Sequence, residues 1–165
     1  MEIEKYFYMT ERTLIIIKPD AVQRHLVGEI IGRFEKKGLK LVAAKFVQLS
    51  EKQVGQVYAV HREKPFYKPM IKFLSSAPVL VMVWEAEGVI DMTRKMMGAT
   101  FGLYAEPGSI RGDFSCSERY NLIHGSDSPE SAHQEIKLFF TPNEIIDYKL
   151  TNSPWLYVKS AGPKK

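Results

Sequence analysis

The apolar positions along the chain fall into two kinds of spacing. Short, nearly continuous apolar runs rich in β-branched residues predict strands, and the first is apolar enough to be buried on both faces of a sheet. These runs are residues 13–18, 39–49 and 78–85, followed later by a shorter one at residues 120–124. Between them apolar residues recur every three or four positions, which predicts amphipathic helices. The chain therefore alternates strands with helices.

Helix-start and helix-stop residues bracket these helical segments. Gly38 can end the helix that begins at Val27, Ser50 with Gln53 forms a capping box, and Gly98 stops a later helix. Further helices are predicted near Pro65 and from Pro129 to about Phe140, and Thr141, Pro142 and Glu144 supply the cap for one last short helix. Because no close β-hairpin signal occurs, the pattern favours a layered α/β or α+β domain with helices packed on a small sheet. Whether the strands run parallel or antiparallel does not follow from the pattern.

Length and composition are those of one globular domain. The 165 residues suffice for a substantial core, and 45% apolar with 25% charged residues argues against disorder, collagen and coiled coil. We place the domain at residues 11–158, between an N-terminal extension at residues 1–10 and a basic tail at residues 159–165. No apolar run approaches the ~20 residues of a membrane-spanning helix. The first ten residues also lack the apolar core of a secretory signal.

The cysteine count bears on the cellular location of the protein, and the net charge bears on the kind of partner that it binds. Because Cys116 is the only cysteine, no intramolecular disulfide can form, which favours a reducing, cytoplasmic location. The net charge of +4 favours anionic partners. The basic residues are scattered and form no continuous stripe, so a nucleic-acid partner is not indicated. Residues 111–113 read RGD, but a tripeptide matches by chance and carries no weight without a secretion signal.

A histidine at the end of the short strand 120–124 is the first candidate for chemistry. His124 is followed by Gly-Ser-Asp-Ser, and Ser128 before Pro129 is a strong helix start. The histidine is therefore expected in the turn between a strand and a helix N-terminus, where free N–H groups suit a phosphate. Gly125 is expected to leave room beside the ring for an approaching molecule.

Glu135 is the expected partner of this histidine. It falls on the apolar stripe of the following helix, and a carboxylate that faces a core must find a partner. By accepting a hydrogen bond from one ring nitrogen, Glu135 would orient His124 and make its other nitrogen more nucleophilic. The alternative interpretation is a satisfied turn histidine and an unrelated surface carboxylate.

Cationic side chains elsewhere could bind phosphates. Lys18 ends the most apolar strand, Arg94 lies on the helix before Gly98, and Arg111 closes the long loop that follows. The alternative is a lysine that reaches solvent from a strand end, with a solvated helix face and a mobile loop. The chain has neither a G-x-x-x-x-G-K-[ST] phosphate loop nor a G-x-G-x-x-G turn, and its histidines show no zinc-ligand spacing. No protein-bound metal is predicted.

Three segments closely resemble the nucleoside diphosphate kinase family. They are ERTLIIIKPDAVQRHLVGEII at residues 11–31, PGSIRGDF at residues 107–114 and NLIHGSDSPESAHQEI at residues 121–136. The resemblance implies an α+β, ferredoxin-like (βαββαβ) fold, with a four-stranded antiparallel sheet covered by helices. It implies transfer of the γ-phosphoryl of a nucleoside triphosphate, mainly ATP, to nucleoside diphosphates by a ping-pong route. Mg²⁺ is expected to arrive on the nucleotide phosphates.

The same resemblance assigns roles residue by residue. His124 matches the histidine that is phosphorylated, Glu135 the carboxylate that holds it, and Tyr58 a tyrosine beside it. The phosphate and ribose contacts match Lys18, Arg94, Thr100, Arg111 and Asn121. Lys18 is predicted to assist catalysis as well as to bind phosphate, and Phe66 matches the aromatic residue on which the base stacks. Relatives assemble as hexamers or tetramers, so a homo-oligomer is expected.

One loop departs from the family pattern. After Gly98-Ala99-Thr100 the family usually has Asn-Pro, whereas residues 101–106 read FGLYAE. In relatives this loop lies near the nucleotide entrance and subunit contacts, so substrate affinity and assembly are the properties that the change could alter. The rival function is a nucleotide-binding regulatory module of the same fold without useful turnover. The intact His124 argues against it, because a module needs no nucleophile.

Overall fold

The structure, a computed structural model, describes residues 10–157. The predicted basic tail lies outside the described residues, as does the predicted N-terminal extension apart from Thr10, which begins the first strand. The strands are β1 (Thr10–Ile17), β2 (Lys40–Val47), β3 (Val79–Glu87) and β4 (Ile123–Gly125). The α-helices are α1 (Pro19–Gln23), α2 (Val27–Lys37), α3 (Glu51–Val57), α4 (Tyr67–Ser75), α5 (Val89–Met97), α6 (Ile110–Phe114), α7 (Pro129–Phe139) and α8 (Ser153–Leu156). Short 3₁₀ turns lie at Ala59–His61, Gly102–Tyr104 and Pro142–Glu144.

The four strands form one antiparallel sheet in the order β2-β3-β1-β4. This arrangement confirms the predicted ferredoxin-like α+β fold and settles the direction of the strands. Strand β1 is central, and its apolar run is buried on both faces as predicted: Leu14 and Ile15 are both fully buried although they point to opposite sides.

Helices cover both faces of the sheet and create two apolar layers. One layer packs Ile15, Ile17 and Trp84 of the sheet against α1, α2, α5 and α6. The other packs Leu14 and Ile16 against α3, α4 and α7. Strand β4 and the N-terminal end of α7 meet at the side of the sheet next to β1, which places His124 at the edge of this layered core.

Local signals determined the helix ends well. Gly38 ends α2 with a φ of 96°, and the capping box of Ser50 with Gln53 begins α3.

Two predictions about the secondary structure were wrong. The strand predicted at residues 120–124 is shorter and later, at Ile123–Gly125, and the long loop after Gly98 contains the helix α6. Helix α6 was missed because five residues are too few to show helical periodicity.

Candidate functional site

His124 lies within β4, opposite Ile16 of β1, and not in the turn after the strand as predicted. Both carboxylate oxygens of Glu135, on α7, lie 3.1 Å from its ring Nε2. The two side chains are mostly buried, with 16% and 12% of their surfaces exposed, so solvent screens this contact little. Within residues 10–157 no hydrogen bond reaches the other ring nitrogen, Nδ1.

Glu135 is itself held from behind by Ser126. The Ser126 hydroxyl donates to Oε2 of Glu135 at 2.6 Å, and its oxygen accepts a hydrogen bond from the backbone N–H of Leu14 at 3.2 Å. Ser126 is fully buried. A short, charge-assisted bond between buried groups fixes the carboxylate, and therefore the ring that the carboxylate contacts.

An aromatic row leads from His124 to the surface. The Tyr58 ring packs edge-on against the His124 ring, with 5.3 Å between centroids, and His61 lies 6.2 Å beyond Tyr58. Phe66, just before α4, lies 5.6 Å from His61 and is 50% exposed, so its face is open to a ligand. Burial, reinforced by Glu135, raises the pKa of the Tyr58 hydroxyl far above its usual range, so this group stays protonated.

Lys18 is buried, so the interpretation of a lysine that reaches solvent is wrong. Its Nζ donates to Oδ1 of Asn121 at 2.6 Å, and the Asn121 amide donates to the carbonyl of Thr100 at 2.7 Å. Burial, together with the nearby Arg111 guanidinium, lowers the pKa of Lys18 to about 8, although Asp20 partly opposes this shift.

Arg111 is also buried, and its guanidinium is held by backbone carbonyls. It donates to the carbonyls of Asn121, Gly98 and Ile123 at 3.1, 2.9 and 2.7 Å. Burial and the neighbouring Arg94 lower the pKa of Arg111 to about 10. Because these neutral carbonyls do not cancel its charge, Arg111 remains attractive to an anion.

Arg94, in the last turn of α5, is exposed. It lies close enough to Arg111 and Asp127 to influence the pKa of each. The hydrogen bond from Ser131 is the main cause of the lowered pKa of Asp127. Thr100 is exposed directly after the helix and is tied to Asn121 through its carbonyl. Three cations and the strand that carries His124 therefore border one region.

The sequence suggested that Gly125 leaves room beside the His124 ring, and the structure shows that it does not. A side-chain carbon at this position would lie 2.7 Å from Met97 Cε and 2.9 Å from Ile15 Cδ1, both in the core. Successive residues of a strand point to opposite faces, so Gly125 faces away from the His124 ring. The glycine makes room for core packing beneath the strand and gives no access to the histidine.

The family model for nucleoside diphosphate kinases matches residues 11–145. The nucleoside diphosphate kinase of Trichormus variabilis is 54% identical over 147 residues, which cover 89% of this chain and 99% of that protein. The chain belongs to the nucleoside diphosphate kinase family. A Bacillus cereus member is 50% identical with the same coverage of both chains.

Solved structures of the family agree with the fold. The nucleoside diphosphate kinase of Halobacterium salinarum, in complex with CDP, superposes with a TM-score of 0.88 at 43% identity, covering 91% of this chain and all of the other. The enzyme of Aquifex aeolicus superposes with a TM-score of 0.81 at 40% identity, covering 84% of this chain and all of the other. The predicted phosphotransferase activity is thereby confirmed, and the rival module without turnover is set aside.

Two residues near His124 were missed from the sequence. Ser126 is one member of a Gly-Ser-Asp-Ser turn, and nothing in its spacing distinguishes a contact with Glu135 from an ordinary turn hydroxyl. His61 stands between Tyr58 and Phe66, in the 3₁₀ turn Ala59–His61. A lone histidine gave no signal in the sequence.

The described residues show neither a membrane span nor a metal cage. Between Thr10 and Tyr157 no helix combines the length and apolarity needed to cross a bilayer. Over the same range no three His, Cys, Asp or Glu side chains converge closely enough to hold a metal ion. What the site offers a ligand is positive charge, not a set of metal ligands.

Proposed function

We propose that this chain moves the γ-phosphoryl of a nucleoside triphosphate, mainly ATP, to a nucleoside diphosphate through a phosphohistidine at His124. The observation that carries the proposal is the contact of both Glu135 oxygens with ring Nε2. A proton on Nε2 satisfies the carboxylate, which leaves the lone pair on Nδ1. Nδ1 is therefore the nucleophile, and Glu135 stabilises the positive charge that develops on the ring.

Each half-reaction exchanges one bond to phosphorus for another. In the first, a bond forms between Nδ1 and the γ-phosphorus, while the bond to the bridging oxygen breaks and leaves its electrons on the nucleoside diphosphate. In the second, a terminal oxygen of the acceptor diphosphate attacks phosphorus and returns the electron pair to Nδ1. The acceptor is already an anion, so no base is required to remove a proton from it.

The cations supply charge stabilisation in this proposal. Arg111 and Lys18 are buried and pre-organised, so they stabilise charge on phosphate oxygens without reorganising during transfer. Arg94, which is exposed, approaches the phosphates from the open side. Thr100 and Asn121 donate hydrogen bonds to the phosphates or the ribose. The Asn121 amide donates to the Thr100 carbonyl at 2.7 Å, which couples the two residues.

Two residues of the aromatic row, Phe66 and Tyr58, have separate roles in this proposal. Phe66 offers an open face for stacking, which any nucleobase can satisfy, so broad base acceptance is expected. Tyr58 packs its edge against the His124 ring and limits the rotation of that ring. Its hydroxyl is buried without a hydrogen-bond partner in the described residues, so it is free to meet the phosphoryl group when that group arrives.

Mg²⁺ fits this site as part of the nucleotide. The described residues offer cations around the candidate phosphate positions and no cluster of metal ligands. In this proposal the ion would be held by phosphate oxygens and would supply charge neutralisation there. Lys18, Arg94 and Arg111 bind the remaining negative charge.

Assembly and location complete the proposal. We infer a homo-oligomer, a hexamer or a tetramer, as in relatives, and a cytoplasmic location in keeping with the single cysteine. The domain boundaries are proposed at residues 11 and 158. Phe101, Leu103 and Tyr104 are 49%, 61% and 66% exposed, so the altered loop adds an apolar surface on which assembly can depend.

Labelling with γ-³²P-ATP tests the proposed route. After free nucleotide is removed, label is expected to remain on the protein in an acid-labile, base-stable form, and addition of GDP should discharge it as labelled GTP. ³¹P NMR of the unlabelled phosphoprotein is expected to place the phosphoryl group on Nδ1. Transfer that occurs only when both nucleotides are present would contradict the ping-pong route.

Glu135→Ala is expected to slow phosphorylation of His124 by about 10-fold to 100-fold, because the ring loses its orienting partner. Nucleotide affinity should change little, since the cations are untouched. Single-turnover labelling gives the rate, and ADP binding by calorimetry gives the affinity. Glu130→Ala, an exposed carboxylate on the same helix, is the matched control. An unchanged labelling rate in Glu135→Ala would show that this carboxylate does not act on the ring.

A further inference from the structure

A strained turn immediately precedes the strand that carries His124. Leu122 is fully buried and has a φ of 68°, a region that residues other than glycine rarely occupy. The N–H of Ile123 bonds to the carbonyl of Asn121 at 2.7 Å across it, which makes a γ-turn with a positive central φ. Such strain persists only where the surroundings over-determine it, and it clusters at functional sites.

The surroundings that impose this turn come from the junction between β1 and α1. Oδ2 of Asp20 accepts a hydrogen bond from the N–H of Leu122 at 3.0 Å. The carbonyl of Leu122 accepts one from the N–H of Lys18 at 2.8 Å. Both backbone groups of the strained residue are therefore attached to one short stretch of chain, and Asp20 is the side chain in this attachment.

The attached stretch contains Lys18, and the turn leads directly to His124. Asn121, at the start of the turn, bonds to Lys18 through its side chain and to Arg111 through its carbonyl. His124 directly follows Ile123, the last residue of the turn. A change in the turn would therefore alter the spacing between the nucleophile and the two buried cations.

We propose that Asp20 is a positioning residue that, by holding Leu122 in its strained conformation, sets the position of His124 relative to Lys18 and Arg111. The inference rests on the proposed function, because it matters only if these three side chains act on the same phosphoryl group. Asp20 does not act as a catalytic group itself. Its second oxygen, Oδ1, is buried without a hydrogen-bond partner in the described residues, so this carboxylate is retained at a cost in desolvation.

Asp20 also places a negative charge near Lys18. The charged groups that act on the Lys18 ammonium are Arg111, which lowers its pKa, and Asp20, which raises it. The same carboxylate thus holds the backbone turn and helps to keep Lys18 protonated. The variant Asp20→Asn separates these two effects, because its amide keeps an acceptor oxygen for the N–H of Leu122 but carries no negative charge.

Asp20→Ala is expected to lower the single-turnover rate of His124 labelling about 10-fold at pH 7, while ADP affinity changes less than threefold. Asp20→Asn, whose amide oxygen can still accept from Leu122, is expected to label within threefold of wild type at pH 7. In Asp20→Asn the alkaline limb of kcat/KM should move to lower pH. Glu144→Ala is the matched control, because Glu144 also accepts a backbone N–H, from Thr141 at 2.8 Å, away from the site. It should lose stability and keep the labelling rate.

Three results would overturn the inference while leaving the proposed function intact. The first is a wild-type labelling rate in Asp20→Ala with only a fall in Tm, as in Glu144→Ala. The second is an equal loss of rate in Asp20→Ala and Asp20→Asn, because the hydrogen bond would then be irrelevant. The third applies if Asp20→Ala does not fold, and it is a tenfold loss of the His124 labelling rate in Asp20→Asn at pH 7. Failure of the wild-type protein to label would instead contradict the proposed function.

Discussion

His124→Ala is expected to reduce phosphoprotein formation to background and phosphotransfer by more than about 10⁴-fold, because no other group replaces the nucleophile. The fold should survive, since His124 lies on the edge strand β4 and its side chain is partly exposed. Removing the ring also frees Glu135, which keeps its bond to Ser126 and so remains partly satisfied. Label retention after γ-³²P-ATP, coupled transfer to GDP and far-UV circular dichroism are the measurements.

His133→Ala is the matched control for this variant. His133 is exposed on α7, two residues from Glu135, and should label and turn over as wild type does. ADP affinity should be nearly unchanged in His124→Ala, because the cations and Phe66 remain in place. Label persisting on His124→Ala in acid-labile form would assign the nucleophile to a different histidine.

Lys18→Met is expected to have the second-largest effect, a loss of about 100-fold to 1000-fold in kcat/KM. The methionine fills most of the buried volume but carries no charge and leaves Oδ1 of Asn121 without its donor. Nucleotide affinity and transfer rate should both fall, because the proposed function places Lys18 on the phosphates and because its ammonium bonds to Asn121 of the turn that precedes His124. Lys36→Met, an exposed lysine on α2, should be neutral in the same assays.

The lowered pKa of Lys18 predicts how kcat/KM and stability change with pH. Burial and Arg111 hold its pKa near 8, below the usual 10.5, so the charged form is present below about pH 8 and is lost above it. The kcat/KM of the wild-type protein, which reports the free enzyme, should therefore fall as pH rises through about 8. The free energy of unfolding should instead rise with pH between about 8 and 10.5, because the unfolded chain binds more protons than the folded chain over that range. An alkaline limb unchanged in Lys18→Met would assign it to another group.

The layered fold followed from local patterns to a large extent. The apolar runs that became β1, β2 and β3, and the capping signals around α2 and α3, act over a few residues, so periodicity and cap chemistry predicted them. Strand β4 and helix α6 were misjudged because each is too short to show a period. Their conformation is imposed by pairing with β1 and by contacts around Arg111.

The candidate site was predictable where it rested on helical spacing. Glu135 was expected beside His124 because a carboxylate on an apolar stripe must find a partner, and it lies 3.1 Å away. Gly125 was misinterpreted because the predicted strand ended at His124, which placed Gly125 in the following turn. Gly125 instead belongs to β4 and therefore faces away from the His124 ring.

The amino-acid order alone determined the alternation of strands and helices, the helix ends and the residue types available for phosphate chemistry, because these depend on interactions between near neighbours. Only the tertiary structure decided that Lys18 and Arg111 are buried side by side, that Ser126 holds Glu135, and that Asp20 holds Leu122 in a strained turn. The last of these contacts joins residues 102 positions apart. No local pattern encodes such contacts, since they exist only once the sheet has brought β1 and β4 together.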